Sequence, residues 1–127
     1  MELKTTRYEV ADGIAVITLA RPKRRNAWTG RMHTEYRWIL READDDPAVR
    51  VIVVTGDPEG GAFCPGADLQ ALEGHSERGQ YDAGTPDDIA EPGYGVDPAF
   101  DATFAYHFGV GKPIIAAIMS MFLMPAA

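Results

Sequence analysis

The sequence has little cysteine, no long apolar run and fewer basic than acidic residues. Its one cysteine, Cys64, cannot form an internal disulfide or a cysteine-rich zinc site, which suits a reducing compartment. The longest apolar run, residues 114–124, contains Ser120 and is shorter than the roughly 18 residues that cross a bilayer. Residues 1–7 lack the apolar stretch of a signal peptide. We therefore expect a cytoplasmic protein with no membrane partner.

The charge balance argues against a general nucleic-acid binder. The chain has 12 Lys and Arg against 19 Asp and Glu, a formal charge of −7, whereas nucleic-acid binders show a basic balance. Residues 73–101 hold eight of the acidic residues and one basic residue, so this segment has a charge equal to that of the whole chain. It is also rich in glycine and proline. We expect a mobile acidic insertion or lid there.

The hydrophobic pattern predicts one α/β domain that begins with a hairpin and a helix. A chain of 127 residues has room for one core. Residues 8–11 and 14–19 flank Asp12-Gly13, a pair that tolerates the positive φ angles of a tight hairpin. Thr29 is a candidate N-cap for a helix that ends at residues 44–47. The apolar residues of that helix share one face: Met32, Tyr36, Ile39, Leu40 and Ala43.

Two further segments predict strands, and a glycine-rich turn lies between them. Residues 50–55 are a β-branched run typical of a strand buried on both faces, and residues 113–118 predict a second buried strand. Residues 61–69 predict a tight turn into a helix that begins at Asp68. The N–H groups of such a helix end attract an anion. On spacing alone, the alternative is an ordinary strand-to-helix turn capped by Asp68.

Five segments occur in an order that is characteristic of a known family. They are the strand Ile14–Leu19 with Arg21-Pro22 after it, Asn26-Ala27, the strand Val51–Gly56, the turn Ala62–Leu69, and the segment Lys112–Ile118. In this order and spacing, the chain resembles the crotonase family, also called the enoyl-CoA hydratase/isomerase family. The resemblance covers residues 5–118. It implies the ββα spiral of the ClpP/crotonase fold, with residues 1–127 as its incomplete N-terminal half.

The resemblance also implies a chemistry. Family members bind an acyl-CoA thioester, which is a substrate and not a cofactor, and stabilise the enolate-like oxyanion on its carbonyl with two backbone N–H groups. By position in the motif, the first donor is the N–H of Ala67, and one preorganised donor is worth about 3 kcal/mol of the barrier. The substrate-binding residues that the resemblance implies are Arg24, Arg25, Ala27, Ala62, Gly66, Ala67, Asp68, Leu69 and Gln70.

Several of these residues have simpler interpretations. Arg24 and Arg25 would contact the CoA phosphates, with the backbone of Ala27 near the nucleotide, but a basic run is also typical of a solvated loop. His33 belongs to a His-x-Glu pattern that lacks the Cys pair of a zinc deaminase, so we predict no metal site and place His33 on the exposed side of its helix. Cys64 is predicted to be a packed thiol. Trp28 and Trp38 are predicted to be packing residues.

The family pattern ends after Ile118. In the family a glycine-rich turn with the second oxyanion donor follows, and then catalytic carboxylates, whereas residues 119–127 read MSMFLMPAA. An ungapped register puts Pro125, which has no N–H, at the second donor. We expect a truncated or frameshifted acyl-CoA-processing enzyme without turnover of its own, whose intact parent hydrates or isomerises enoyl-CoA as a homotrimer or hexamer. The alternative is a non-catalytic module that binds CoA or a protein.

Overall fold

A computed structural model describes residues 2–69, 73 and 109–118. The described strands are β1 (Thr6–Ala11), β2 (Ile14–Leu19), β3 (Val51–Gly56) and β4 (Ile114–Ala117). Helix α1 (Gly30–Asp45) joins β2 to β3, and short 3-10 helices lie at Pro22–Arg24 and Pro58–Gly60. The predicted divergent end at 119–127 and nearly all of the acidic segment 73–101 lie outside the described residues.

The four strands form one mixed sheet in the order β1-β2-β3-β4. β1 and β2 are antiparallel, while β3 runs parallel to both β2 and β4. Parallel neighbours need a crossover connection, and α1 supplies it between β2 and β3. Strands and helix therefore follow the predicted β-β-α-β order.

The hairpin is confirmed, and its turn has the predicted geometry. Asp12 and Gly13 both have positive φ angles, 54° and 80°, as a two-residue hairpin turn with the right-handed strand twist requires. Strand β1 begins at Thr6, two residues before the predicted start, and pairs with β2 along its whole length. The carbonyl of Gly13 also accepts the backbone N–H of Arg50 at 2.7 Å, which fixes the start of β3 beside the turn.

Helix α1 begins and ends where the sequence predicts. The Thr29 side chain accepts the backbone N–H of Met32 at 3.2 Å, and the helix ends at Asp45 before Pro47. All five residues of the predicted apolar face are buried, and they pack with the buried side chains of the sheet. The sheet contributes Ala15, Ile17, Leu19, Ile52 and Val54 to this core.

The carboxyl side chain of Glu35 is fully buried beneath the N-terminal segment. Its carboxylate accepts the backbone N–H of Thr5, the hydroxyl of Thr6 at 2.6 Å and the guanidinium of Arg31 at 2.7 Å. A buried carboxylate is stable only when its oxygens are hydrogen-bonded in this way. Glu35 therefore ties the start of β1 to α1.

Three predicted burial states are wrong. β3 alternates between buried and half-buried residues, so it is fully buried on one face and not on both. β4 is largely exposed, with Ile115 at 54% of its full accessibility, because the described residues place no layer over it. His33 is buried, with its ring edge-on to Trp28 at 6.1 Å between centroids, because the loop before α1 covers the first turns of the helix.

The C-terminal end of α1 is held by the segment that leads into β4. The ammonium of Lys112 donates to the carbonyls of Ala43 and Asp46, at 2.7 and 2.6 Å, and the N–H of Gly111 donates to the Asp44 side chain. Carbonyls at a helix end need such partners, and a cation there also complements the helix dipole. Among the described helices, none is long and apolar enough to span a membrane.

Candidate functional site

Two loops meet at one edge of the sheet. Because β2 and β3 are parallel, the loops that follow them leave from the same edge. The first runs from Arg21 to Trp28 and the second from Asp57 to Asp68. They join through an isolated parallel bridge between Trp28 and Ala67.

This bridge determines the direction of the Ala67 N–H. The Trp28 N–H donates to the Gly66 carbonyl, and the Asp68 N–H donates to the Trp28 carbonyl, both at 2.8 Å. In a parallel bridge the flanking residues of one chain make the hydrogen bonds, and the N–H of the central residue is directed away from the partner chain. The N–H of Ala67 therefore turns away from Trp28, and no described residue accepts it.

Beside Ala67 lies an apolar cavity of about 570 Å³, a volume within the range of small-molecule sites. Aliphatic, aromatic and small residues line it, contributed by both loops, by α1 and by three strands. They are Leu19, Trp28, Tyr36, Val54, Phe63, Cys64, Gly66, Ala67, Ile114 and Ala116. The arrangement can hold an apolar group next to a backbone hydrogen-bond donor.

The titratable groups of the cavity wall are neutral at ordinary pH. Burial raises the pKa of Tyr36 to about 12, and the ring packs edge-on against Trp28 at 5.6 Å between centroids. Burial also raises the pKa of the Cys64 thiol, whose Sγ lies 3.7 Å from the Gly66 carbonyl oxygen. A thiol with a raised pKa is a poor nucleophile, which supports the prediction of a packed thiol.

Asn26 connects the two loops through its amide. Its Oδ1 accepts the backbone N–H of Arg21 at 2.9 Å, while its Nδ2 donates to the carbonyls of Ala62 and Asp57 at 2.8 and 3.2 Å. The residue is fully buried and has a φ of 61°, a left-handed conformation that asparagine tolerates better than most residues. The shape of both loops therefore depends on one buried amide.

A buried ion pair between Arg21 and Asp68 joins the two loops beside the Trp28–Ala67 bridge. Nη1 of Arg21 is 3.1 Å from Oδ2 of Asp68 and also donates to the Ala27 carbonyl at 2.8 Å. The side chains of Arg21 and Asp68 are 7% and 2% exposed. Arg24 binds the same carboxylate from the solvent side, with Nε 3.2 Å from Oδ2 and with its own side chain 43% exposed.

The predicted site residues divide into three groups. Those brought together at the loop junction are Ala27, Ala62, Gly66, Ala67 and Asp68. Arg24 and Arg25 lie exposed beside the junction, and Arg24 is partnered by Asp68. Leu69 is 72% exposed, and Gln70 lies outside the described residues. Trp28 and Trp38 pack against the core as predicted.

Two structural roles at this junction have no clear signal in the sequence. Asn26 and Arg21 lie in two of the segments that resemble the family, but their spacing alone does not indicate which groups they contact. Their partners on the second loop lie 31 to 47 residues further along the chain. Within the described part of the chain, no three His, Cys, Asp or Glu residues are grouped so that they could hold a metal ion.

The chain is similar in sequence to known proteins. The family model for enoyl-CoA hydratase/isomerase matches residues 9–92. A probable enoyl-CoA hydratase of Mycobacterium tuberculosis is 49% identical over 59 residues, which are 46% of this chain and 22% of that protein.

Solved structures share the fold. The crystal structure of a probable enoyl-CoA hydratase/isomerase from Mycobacterium abscessus is 38% identical with a TM-score of 0.58, and the match covers 89% of this chain and 37% of that one. The structure of carnitinyl-CoA hydratase from Mycobacterium avium is 33% identical with a TM-score of 0.63, covering 94% of this chain and 40% of that one. This chain thus spans less than half the length of these relatives. With its mixed sheet and crossover helix in the crotonase arrangement, the chain belongs to the enoyl-CoA hydratase/isomerase family.

Proposed function

We propose that this chain binds an acyl-CoA thioester with the thioester carbonyl oxygen on the N–H of Ala67 and the acyl group in the apolar cavity. The observation that carries the proposal is the direction of this N–H. The Trp28–Ala67 bridge turns it away from the neighbouring loop, and Ala67 itself is part of the cavity wall. A carbonyl oxygen is the group that such a donor recognises.

The chemistry of the site follows from its low polarity. Hydration or isomerisation of an enoyl thioester passes through a state in which negative charge develops on the carbonyl oxygen. A fixed N–H donor stabilises that charge, and it does so more strongly in an apolar cavity than in water. Ala67 contributes only its backbone, and its methyl group leaves room for the thioester to approach. The chain's own part is to bind the thioester and orient it.

The CoA moiety has a basic partner beside the cavity. Arg24 and Arg25 are exposed on the loop that leads to Ala27, and guanidinium groups suit phosphate oxygens. Arg24 shares its charge with Asp68, so phosphate binding at Arg24 would compete with this ion pair. The backbone of Arg25 is left-handed, with a φ of 57°, because the residue lies in a tight turn. This turn leaves its side chain exposed.

The experiment compares two ligands and two variants. Binding to the purified chain is measured by calorimetry with butyryl-CoA and with S-butyl-CoA, a thioether that lacks the carbonyl. Wild type should bind butyryl-CoA about three- to tenfold more tightly, the worth of one neutral hydrogen bond. Ala67→Pro removes the N–H and should abolish the difference, while Ala67→Gly keeps the N–H and should preserve it.

Two results would contradict the proposal. One is a wild-type protein that binds both ligands equally, and the other is an Ala67→Pro variant that folds and still prefers the carbonyl compound. A parallel assay with crotonyl-CoA separates the alternatives of enzyme and binding module. Turnover that is lost in Ala67→Pro identifies an enzyme, whereas carbonyl-dependent binding without turnover identifies a module that only binds the thioester.

A further inference from the structure

We infer that Arg21 is a positioning residue that acts through Asp68 to hold the N–H of Ala67 in its binding direction. The inference rests on the proposed function for the identity of the ligand. Its structural part, the control of one backbone donor by one buried ion pair, does not need the ligand.

One nitrogen atom of Arg21 contacts both loops. Nη1 of Arg21 donates to the carbonyl of Ala27 at 2.8 Å and lies 3.1 Å from Oδ2 of Asp68. Ala27 precedes Trp28 and Asp68 follows Ala67, so these two contacts flank the backbone bridge on which the direction of the donor depends. A shift of either loop would stretch a contact to the same guanidinium.

Burial distinguishes Arg21 from Arg24, which also contacts the Asp68 carboxylate. The Arg21 side chain is 7% exposed, whereas the Arg24 side chain is 43% exposed. Salt and water screen the contact of Arg24, but they screen the contact of Arg21 much less. Arg24 makes two contacts, from Nε to Oδ2 at 3.2 Å and from Nη2 to Oδ1 at 3.3 Å, but both face solvent. Of these two guanidinium groups, Arg21 therefore holds Asp68 more firmly.

The Arg21–Asp68 pair also affects the electrostatics of the candidate site. Asp68 directly follows the donor residue, and an uncompensated carboxylate there would repel the negative charge that develops on a thioester oxygen. The guanidinium of Arg21 balances that carboxylate at 3.1 Å. Removal of Arg21 would thus weaken oxyanion binding through both the position of the N–H and the nearby charge.

The test uses Arg21→Met and Arg21→Lys, with Arg7→Gln as the matched control. Arg7, which lies on β1, pairs with Asp57 at 2.7 Å, and its side chain is 52% exposed. The first measurement is the hydrogen-exchange rate of the Trp28 amide, which donates to the Gly66 carbonyl at 2.8 Å within the bridge. It is taken in the ligand-free protein, relative to the rate of Val54 in β3. The second is the ratio of the Kd for S-butyl-CoA to the Kd for butyryl-CoA.

In Arg21→Met we expect the Trp28 amide to exchange about tenfold faster or more, since the loss of a charged contact between the loops weakens the bridge hydrogen bond that protects this amide. The Kd ratio should fall to nearly one. Arg21→Lys keeps the charge and should restore part of both effects. Arg7→Gln should change neither. A loss of general stability would raise the exchange of Val54 as well, so the relative rate separates positioning from destabilisation.

The inference is overturned if Arg21→Met folds and keeps both the relative exchange rate and the Kd ratio of wild type. Should Arg21→Met fail to fold, Asp68→Asn decides in its place through the relative exchange rate of Trp28 alone, because it breaks the ion pair, preserves the size of the side chain and also removes the carboxylate that would repel an oxyanion. An unchanged rate in Asp68→Asn then overturns the inference. If wild type does not distinguish the two ligands, the proposed function fails. The exchange of Trp28 then decides the positioning role alone.

Discussion

Replacement of Asn26 by alanine tests whether one buried amide shapes the candidate site. The substitution removes three hydrogen bonds, to the backbone N–H of Arg21 and to the carbonyls of Ala62 and Asp57. The Asp57 carbonyl keeps another donor, the N–H of Gly60 at 3.0 Å. The cost therefore falls mainly on the contacts to Arg21 and Ala62.

The expected loss of unfolding free energy is about 4 kcal/mol. A buried backbone N–H that loses its acceptor costs about 1–3 kcal/mol, and a half-buried carbonyl that loses its donor costs about 1 kcal/mol. Alanine at a φ of 61° adds about 1 kcal/mol, because its Cβ is strained in the left-handed region. For a chain of this length, the Tm should fall by roughly 12–18 °C. Urea unfolding followed by circular dichroism provides the free energies.

Two control variants divide this loss into its parts. Asn26→Gly removes the same hydrogen bonds but accepts the positive φ, so it should be about 1 kcal/mol more stable than Asn26→Ala. Asn26→Asp keeps the acceptor for Arg21 and turns a second oxygen toward the Ala62 carbonyl. Burial and this oxygen contact should raise the pKa of the new carboxyl in the folded state.

The sign of the pH dependence follows from that raised pKa. The folded state of Asn26→Asp holds its proton more tightly than the unfolded chain does, so the variant should gain stability relative to wild type as the pH falls through the raised pKa. The reasoning is refuted if Asn26→Ala loses less than about 1 kcal/mol, or if Asn26→Gly is the less stable of the two.

Two further predictions concern the walls of the site. Gly56→Ala should lower the free energy of unfolding by about 1–3 kcal/mol, because the new Cβ would lie 2.7 Å from the Phe63 carbonyl oxygen. Gly111→Ala is the control: its new Cβ would lie 3.9 Å from the nearest atom, so the free energy of unfolding should change by no more than about 1 kcal/mol. Urea unfolding measures both. Equal costs would contradict this packing argument. Burial raises the pKa of Tyr36 to about 12, so this side chain stabilises the folded state only while it is neutral. Wild type should therefore lose stability as the pH rises above 10.0, the ordinary pKa of tyrosine. Tyr36→Phe should lose less over the same interval, and identical slopes for both proteins would show that Tyr36 is not the group responsible.

The local elements of this protein are readable from short stretches of sequence. Asp12-Gly13 predicts the hairpin because few other residue pairs accept two positive φ angles. Thr29 and the spacing of the apolar residues after it predict both the start of α1 and its buried face. Each of these features depends on interactions within a few residues.

Burial was less predictable than element type. A β-branched run looks the same whether a layer covers one face of a strand or both, so the sequence did not distinguish the two cases for β3. His33 follows the polar side of its own helix, yet a loop from outside the helix covers it. Such coverage depends on contacts between distant segments, which helical periodicity does not record.

The order of the family segments, read from the sequence, was sufficient to indicate the enoyl-CoA hydratase/isomerase family and the residue of the candidate donor, Ala67. Only the tertiary structure decided which way that donor turns and what holds it there. The bridge to Trp28, the amide of Asn26 and the ion pair of Arg21 with Asp68 all join the loop after β2 to the loop after β3. The physical reason is that a hydrogen bond or an ion pair acts over about 3 Å in space, whatever the separation of its partners along the chain.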